Sequence, residues 1–305
     1  MLATTDGRVA GSVSGGCVES ATALEIRAAV DHGTPKLVTF GVSDERAWEV
    51  GLACGGTIKV FVEPAVGPQV LEAARGPGGE VVATVIAGAG LGQSVSVRES
   101  GDVTGTFPFQ LPPEALRDTA LSALRREAST SQDFQTSEGA VTIFLEVFPR
   151  QPRLIVFGAG QIAAAMVPLA KALGYHTTVA DGRKVFLDRE RFPDADELIL
   201  AWPDEAFERI GLDSACYICV LSHDPKFDEP ALQVALRSPA RYVGAIGSKK
   251  TQAARREKLR EAGLTDEEVA RLHGPIGLDL GGRQPAETAL AIMAEITAER
   301  YGRAR

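Results

Sequence analysis

Four cysteines in 305 residues are too few to staple a fold with a disulfide framework. The thiols are therefore expected to be buried, catalytic or ligating, each according to its surroundings. No apolar run approaches the ~18 residues that read as a membrane span. The opening MLATTDGRVAG has neither the charged nor the apolar region of a signal peptide. The cytoplasm is the expected address. Concentrated positive charge is missing too: 32 Lys and Arg are scattered among 40 Asp and Glu, for a net charge of −8. That excludes the electrostatic footprint of a nucleic-acid or anionic-membrane partner. Low-complexity tracts and internal repeats are also absent.

What remains is an ordinary globular composition, 45% hydrophobic and 24% charged. The length favours two domains at about 100–200 residues each. A seam lies in FPRQPRLIVFGAG, where Pro149 to Pro152 separate the strand-like AVTIFLEVF from a second strand. The expected domains are residues 1–149 and 150–305. The first opens with a hairpin around Asp6-Gly7. A helix over 18–33 ending on Gly33, strands in PKLVTFGV and GTIKVFVEP, a β-meander and a proline-started helix follow, which is an α+β domain. From residue 153 apolar strands alternate with helices: RLIVFGAG, IAAAMVPLAKALG, HTTVAD, ACYICVLSH, DEPALQVALRS, RYVGAIGS, KKTQAARREKLREAG. Such alternation predicts an α/β domain with a Rossmann-like parallel sheet.

Gly158-Ala159-Gly160-Gln161-Ile162-Ala163 forms G-x-G-x-x-A between strand and helix, and Asp181 ends the next strand 21 residues after Gly160. Glycines there allow close backbone approach, the helix start offers N–H groups to phosphate, and the acid can accept from a ribose hydroxyl. Gly158, Gly160, Gln161 and Asp181 are thus candidate cofactor contacts. With a nicotinamide dinucleotide, Asp181 would favour NAD and Arg183 would accommodate a 2′-phosphate. The pattern equally suits a domain that keeps the turn for packing and binds another phosphate-bearing ligand, or none.

Other candidates stand beside plainer readings. His223, Asp224 and Asp228 in LSHDPKFDEP follow an apolar strand; they either line a ligand edge or are a helix cap with a solvated histidine. Gly247, Ser248, Lys249 and Lys250 in YVGAIGSKKT either meet an anion or form a simple turn. His273, Asp279, Arg283 and Gln284 either face a cleft or decorate a loop, and Glu287 either joins them or compensates a helix dipole. No catalytic residue can be assigned from spacing. Cys216 and Cys219 form C-x-x-C inside an apolar strand, where core packing is expected. Cys17 and Cys54 differ, each standing beside a glycine pair: Ser14, Gly15 and Gly16 precede the first, and Gly55 and Gly56 follow the second. Cys17 also sits before a helix whose dipole favours thiolate, a nucleophile and a soft metal ligand. The alternative is two small residues where backbones approach closely.

Read in order, GRVAGSVSGGCVES, LACGGTIKVFVEP, VFGAGQIA, SHDPKFDEPAL, YVGAIGSKK and HGPIGLDLGGRQPAETALAIMAEI resemble the xanthine dehydrogenase accessory factor family, also called XdhC/CoxI. The resemblance covers nearly the whole chain. It implies a cysteine-bearing domain followed by a Rossmann domain, in a chaperone that matures molybdenum hydroxylases. Such a factor binds the molybdenum cofactor (molybdopterin), supports its sulfuration and passes it to the apoenzyme. The implied partners are that apoenzyme, a cysteine desulfurase and a second copy in a homodimer. Cys17, and in lesser part Cys54, are the implied molybdenum contacts. Four cysteines cannot ligate the two [2Fe–2S] clusters of a complete xanthine dehydrogenase at four thiolates each. A maturation factor rather than a catalyst is therefore expected, with an NAD(P)-dependent oxidoreductase as the alternative. The family usually carries a helix and strand ahead of GRVAGSVSGGC, so either a shortened first domain or a misassigned start is expected.

Overall fold

Alternating side chains build the first half of the chain and nearly continuous apolar strands the second. The computed structural model describes residues 1–41 and 57–303, and the chain divides into two units, Met1–Pro149 and Arg150–Arg305. In the first unit β1 (Leu2–Ala3) and β2 (Val9–Ala10) pair antiparallel, and Gly7 in their turn has φ +88°. Helix α1 (Glu19–His32) ends at Gly33, whose left-handed conformation lets its N–H reach the Ala29 carbonyl. Strands β3 (Lys36–Phe40) and β4 (Ile58–Val62) pair antiparallel, and α1 lays Ile26 and Ala29 against Val60 and Val62.

Beyond α2 (Pro68–Arg75) come β5 (Glu80–Ala87), β6 (Ser94–Arg98), β7 (Val103–Thr104), α3 (Pro113–Arg126), β8 (Thr130–Thr136) and β9 (Gly139–Phe148). The five strands form an antiparallel sheet in the order β7-β6-β5-β9-β8. Period two puts Val81, Ala83, Val85, Ile143 and Leu145 on one face, and α3 covers it with Leu116, Ala120, Ala123 and Leu124 at helical spacing. Two elements here, α2 and β8, go beyond the expected ones. β8 is an edge strand, TSQDFQT, in which only Phe134 is buried, so it carries no apolar alternation to read.

The second unit is a parallel sheet of six strands. In chain order its elements are β10 (Arg153–Phe157), α4 (Gln161–Ala172), β11 (His176–Asp181), β12 (Glu197–Leu200), α5 (Pro203–Ile210) and β13 (Cys216–Val220). They continue as α6 (Pro225–Arg237), β14 (Tyr242–Ala245), α7 (Lys249–Glu261), α8 (Asp266–Ala270), β15 (Leu272–His273) and α9 (Pro285–Arg300). The strand order is β12-β11-β10-β13-β14-β15. Each face has its own core. Ile155, Phe157, Ile218 and Val220 pack against α5, α6 and α7, while Leu154, Val156 and Tyr217 pack against α4 and α9. With helices on both faces, the strands read as apolar runs. The short β12, ELIL, and β15 were not among the expected strands.

Cys216 belongs to one of these cores and Cys219 to the other. A three-residue spacing in a pleated strand points the two side chains to opposite faces. Both residues are fully buried. Burial pushes the Cys216 thiol up to about 11 and raises that of Cys219 as well. Among the described residues no helix is long and apolar enough to cross a membrane.

Candidate functional site

The chain leaves β10 to build β11 and β12 on one side, then returns to set β13, β14 and β15 on the other. Strand order therefore reverses between β10 and β13, and open parallel sheets form their binding crevices outside the carboxyl ends at such a reversal. The segments that leave β10, β11, β13 and β14 carry Gly158, Gly160 and Gln161; Asp181; His223 and Asp224; and Gly247, Ser248 and Lys249. These nine candidates of the second unit thus lie at one sheet edge.

The two glycines of the first loop differ in what they permit. Gly158 has φ +110°, and a Cβ there would lie 2.5 Å from the Ser222 nitrogen and 2.7 Å from the Leu221 carbonyl carbon. It is required so that two backbones can pass. Gly160 has φ −84°, and a Cβ there would meet nothing within 4 Å. Among the described residues no contact requires a glycine at 160, and the side on which its Cβ would stand is open. Gln161, exposed, begins α4.

Asp181 is placed as expected but is otherwise engaged. Its carboxylate is 1% exposed, and one oxygen accepts from the Arg183 N–H and Nε, each at 2.9 Å. The other accepts from the Ala159 N–H at 2.9 Å and Arg183 Nη2 at 3.0 Å. A carboxylate has about four lone-pair sites, so none is left for a ribose hydroxyl. Burial opposes ionisation, but the bonds from Arg183 and Ala159 outweigh it and hold the carboxyl below its ordinary range. The expected ribose acceptor is instead an internal brace for the glycine loop. Arg183, held by it, lies 4.3 Å over the Phe186 ring.

His223 is exposed and has φ +61°, a left-handed conformation uncommon outside glycine. Asp224 caps α6 by accepting from the Lys226 N–H at 3.0 Å. Asp228 is buried, accepting from the Ser222 hydroxyl and from Arg255 at 2.9 Å. Burial nevertheless keeps its carboxyl above the ordinary range. Arg255 also donates to the Ile246 carbonyl at 2.9 Å and to Gln252 at 3.0 Å. This network ties the loop after β13 to the loop after β14, and neither Arg255 nor Gln252 stood out in the sequence, because no motif marks them. Gly247 has φ +141°, Ser248 caps α7 by accepting from the Thr251 N–H at 3.2 Å, and Lys249 is exposed. Glu287 belongs to a capping box, accepting from the Arg283 and Gln284 N–H groups at 2.9 Å, which is the plainer of its two readings.

In the first unit the loop before α1 curls around a residue that sequence reading overlooked. Glu19 accepts from the N–H groups of Val13 at 3.1 Å, Ser14 at 2.9 Å and Gly15 at 3.1 Å, and from the hydroxyls of Ser12 and Ser14. The Ser12 hydroxyl and the Ser14 N–H hold its carboxyl well below the usual carboxylate range. Gly15 and Gly16 take positive φ, +83° and +130°, with nothing near a Cβ at either. Cys17 follows them, half-buried, with its N–H bonded to the Ser14 hydroxyl at 3.0 Å. The signal for Glu19 was its place in the first turn of a helix, where a carboxylate is favoured. Cys54, Gly55 and Gly56 lie outside the described residues. Among the described residues no group of three or more His, Cys, Asp or Glu could hold a metal ion. Cys17 offers a single thiol rather than a metal cage.

The contrast between loop and core thiols is directly measurable. With iodoacetamide and peptide mapping of the native protein, Cys17 is expected to be modified well before Cys216 and Cys219, whose burial removes both access and thiolate. Modification of Cys216 as fast as Cys17 would contradict the strand placement.

Comparison with known proteins follows this division. Residues 154–296 match the XdhC Rossmann domain and residues 1–41 the XdhC and CoxI family. The chain is 29% identical over 212 residues to the uncharacterized protein YqeB of Escherichia coli (strain K12), spanning 66% of this chain and 39% of YqeB. It is 26% identical to the molybdenum cofactor insertion chaperone PaoD of the same organism, over 98% of this chain and 77% of PaoD. A crystal structure described as a xanthine dehydrogenase from Bacillus halodurans superposes with a TM-score of 0.72 at 23% identity, over 99% of this chain and 86% of that one. Two stretches of the chain, 1–41 and 154–296, thus match models of one family: the chain belongs to the XdhC/CoxI family of xanthine dehydrogenase accessory factors.

Proposed function

We propose that this protein is a molybdenum-cofactor insertion chaperone. It binds the cofactor as cargo, supports its sulfuration and passes it to the apoenzyme of a molybdenum hydroxylase of the xanthine dehydrogenase type. The observation that carries this reading is the state of Asp181. The second unit keeps a glycine loop suited to phosphate, yet the carboxylate that would read a dinucleotide ribose is saturated from within. A phosphate-bearing ligand other than NAD fits that combination, and a pterin carrying one phosphate is such a ligand. The 26% identity to PaoD supports the same reading.

Roles divide by chemistry. Cys17, on a loop where Gly15 and Gly16 leave space beside the backbone, suits the metal–dithiolene end, either coordinating molybdenum through its thiolate or shielding its sulfido group. Cys54 with Gly55 and Gly56 is assigned a supporting part. In the second unit, taken by itself, Gly158, Gly160, Gln161, Gly247, Ser248 and Lys249 suit a phosphate, with His223 and Asp224 at the same edge. A cysteine desulfurase, the hydroxylase apoenzyme and a second copy of this chain are the proposed partners.

Native mass spectrometry with metal analysis, on protein purified from its own host, tests the proposal. The expected result is a species heavier than the bare chain by the cofactor, with molybdenum present, and no nicotinamide reduction when purines are supplied. Steady NAD(P)H formation by metal-free protein would instead establish an oxidoreductase.

A further inference from the structure

We infer that Glu19 is the positioning residue for Cys17. The inference deepens the proposed function, and it rests on Cys17 being the cargo contact.

Among the described residues, little else holds the loop from Ser12 to Val18. Its two glycines adopt left-handed or extended positive-φ conformations with no atom of the described residues close to where a side chain would stand, so packing among these residues does not impose them. Among the described residues, the apolar anchors of the loop are Val13, packed against the core between α1 and β4, and Val18, fully buried. Between those anchors the backbone is fixed through one carboxylate. Glu19 gathers the N–H groups of Val13, Ser14 and Gly15 on one oxygen, and the Val18 N–H and Ser14 hydroxyl on the other. The two serine hydroxyls extend its reach. Ser12 donates to Glu19 and accepts from the Gly15 N–H at 2.8 Å. Ser14 donates to Glu19 and accepts from the N–H groups of Cys17 at 3.0 Å and Val18 at 3.1 Å. The path from Glu19 to Cys17 is therefore a single hydroxyl. Converging N–H groups of this kind ordinarily hold a bound anion; here the chain supplies its own, two residues after the thiol it orients.

The geometry demands an acceptor with both charge and reach. In Glu19→Gln, one oxygen is replaced by a donor that faces donors, so the loop must open. In Glu19→Asp the charge stays but the side chain is one carbon shorter and no longer reaches the Val13, Ser14 and Gly15 amides. Both variants, as full-length cofactor-free protein, are expected to react at Cys17 with iodoacetamide about ten-fold faster than wild type, the opening expected when charge-assisted hydrogen bonds are lost. Ser14→Ala, which removes the hydroxyl joining Glu19 to Cys17 and Val18 but leaves the carboxylate on the Val13, Ser14 and Gly15 amides, is expected to move in the same direction by a smaller factor. Slow labelling of Cys216 and Cys219 in the same digests, with an unchanged melting temperature, reports an intact fold. In cofactor-retention assays Glu19→Gln combined with Cys17→Ala is expected to be no worse than Cys17→Ala alone, because the first acts through the second.

Wild-type labelling in Glu19→Gln would overturn the inference. So would fast labelling in Glu19→Gln with a wild-type rate in Glu19→Asp, which would assign the effect to charge alone. Should Glu19→Gln fail to fold, Ser14→Ala carries the test, and a wild-type rate there would be equally fatal. Failure of the wild-type protein to retain cofactor would instead defeat the chaperone reading, and the labelling comparison uses no cofactor.

Discussion

Cys17→Ala protein, purified from its own host, is expected to retain at least about ten-fold less molybdenum cofactor than wild type, since even outer partners of a metal contact are worth 10–100-fold. The fold should be untouched. Cys17 is half-buried, and its thiol is not part of the hydrogen-bond network that runs through the backbone N–H of the same residue. A substitution of that kind is expected to change stability by no more than about 0.5 kcal/mol. Cys54→Ala is expected to lower retention by less. Equal cofactor content in wild type and both variants, by metal analysis and native mass spectrometry, would remove the thiols from the mechanism.

The two glycines of the 158–160 loop are expected to fail in opposite ways when substituted. Gly158→Ala forces a Cβ to within 2.5 Å of the Ser222 nitrogen at a φ of +110°. Overpacking and backbone strain together are expected to destabilise the protein by about 3 kcal/mol. Gly160→Val puts its Cβ where no described atom lies within 4 Å and needs no unusual φ, so it should cost no more than about 1 kcal/mol, that of a poorer helix N-cap, while cofactor retention falls. The pair separates packing from ligand approach within three residues. Full retention in Gly160→Val would take this loop out of the binding site, and wild-type melting of Gly158→Ala would contradict the close passage of the two backbones.

Much of this architecture was legible because the physical signals were strong and local. The alternation RLIVF, HTTVAD and CYICV has nearly every side chain buried between two helical layers, so strands and parallel sheet could be read without ambiguity. Gly33 and the Asp6-Gly7 turn were equally clear, since each needs a conformation that few residues tolerate. β8 was not legible, because an edge strand with one buried residue owes its existence to its neighbour β9 rather than to its own pattern. The same division holds at the site. Spacing located Gly158, Gly160 and Asp181, but it could not foresee that Arg183 would occupy the carboxylate that the motif assigns to ribose, because a partner two residues away is indistinguishable in sequence from a free cation. Glu19 and Arg255 were missed for a related reason. Their importance lies in how many groups converge on them in space, and convergence leaves no periodic trace.

The opposite orientation of Cys216 and Cys219 bears on how thiol patterns are interpreted in proteins generally. Parity governs a strand: cysteines separated by an even number of positions share a side of the sheet, and those separated by an odd number never do. A C-x-x-C written on a helix or a tight turn is a pincer, whereas the same letters on a central strand are two unrelated residues in two different cores. A soft ion such as zinc or cadmium, met during expression or in the cell, finds no chelate there. Of the three cysteines described, only Cys17 presents sulfur away from the interior. Under the proposed chaperone role this limits competition from stray metal, since two of the three described sulfurs are locked away on two sides of a sheet.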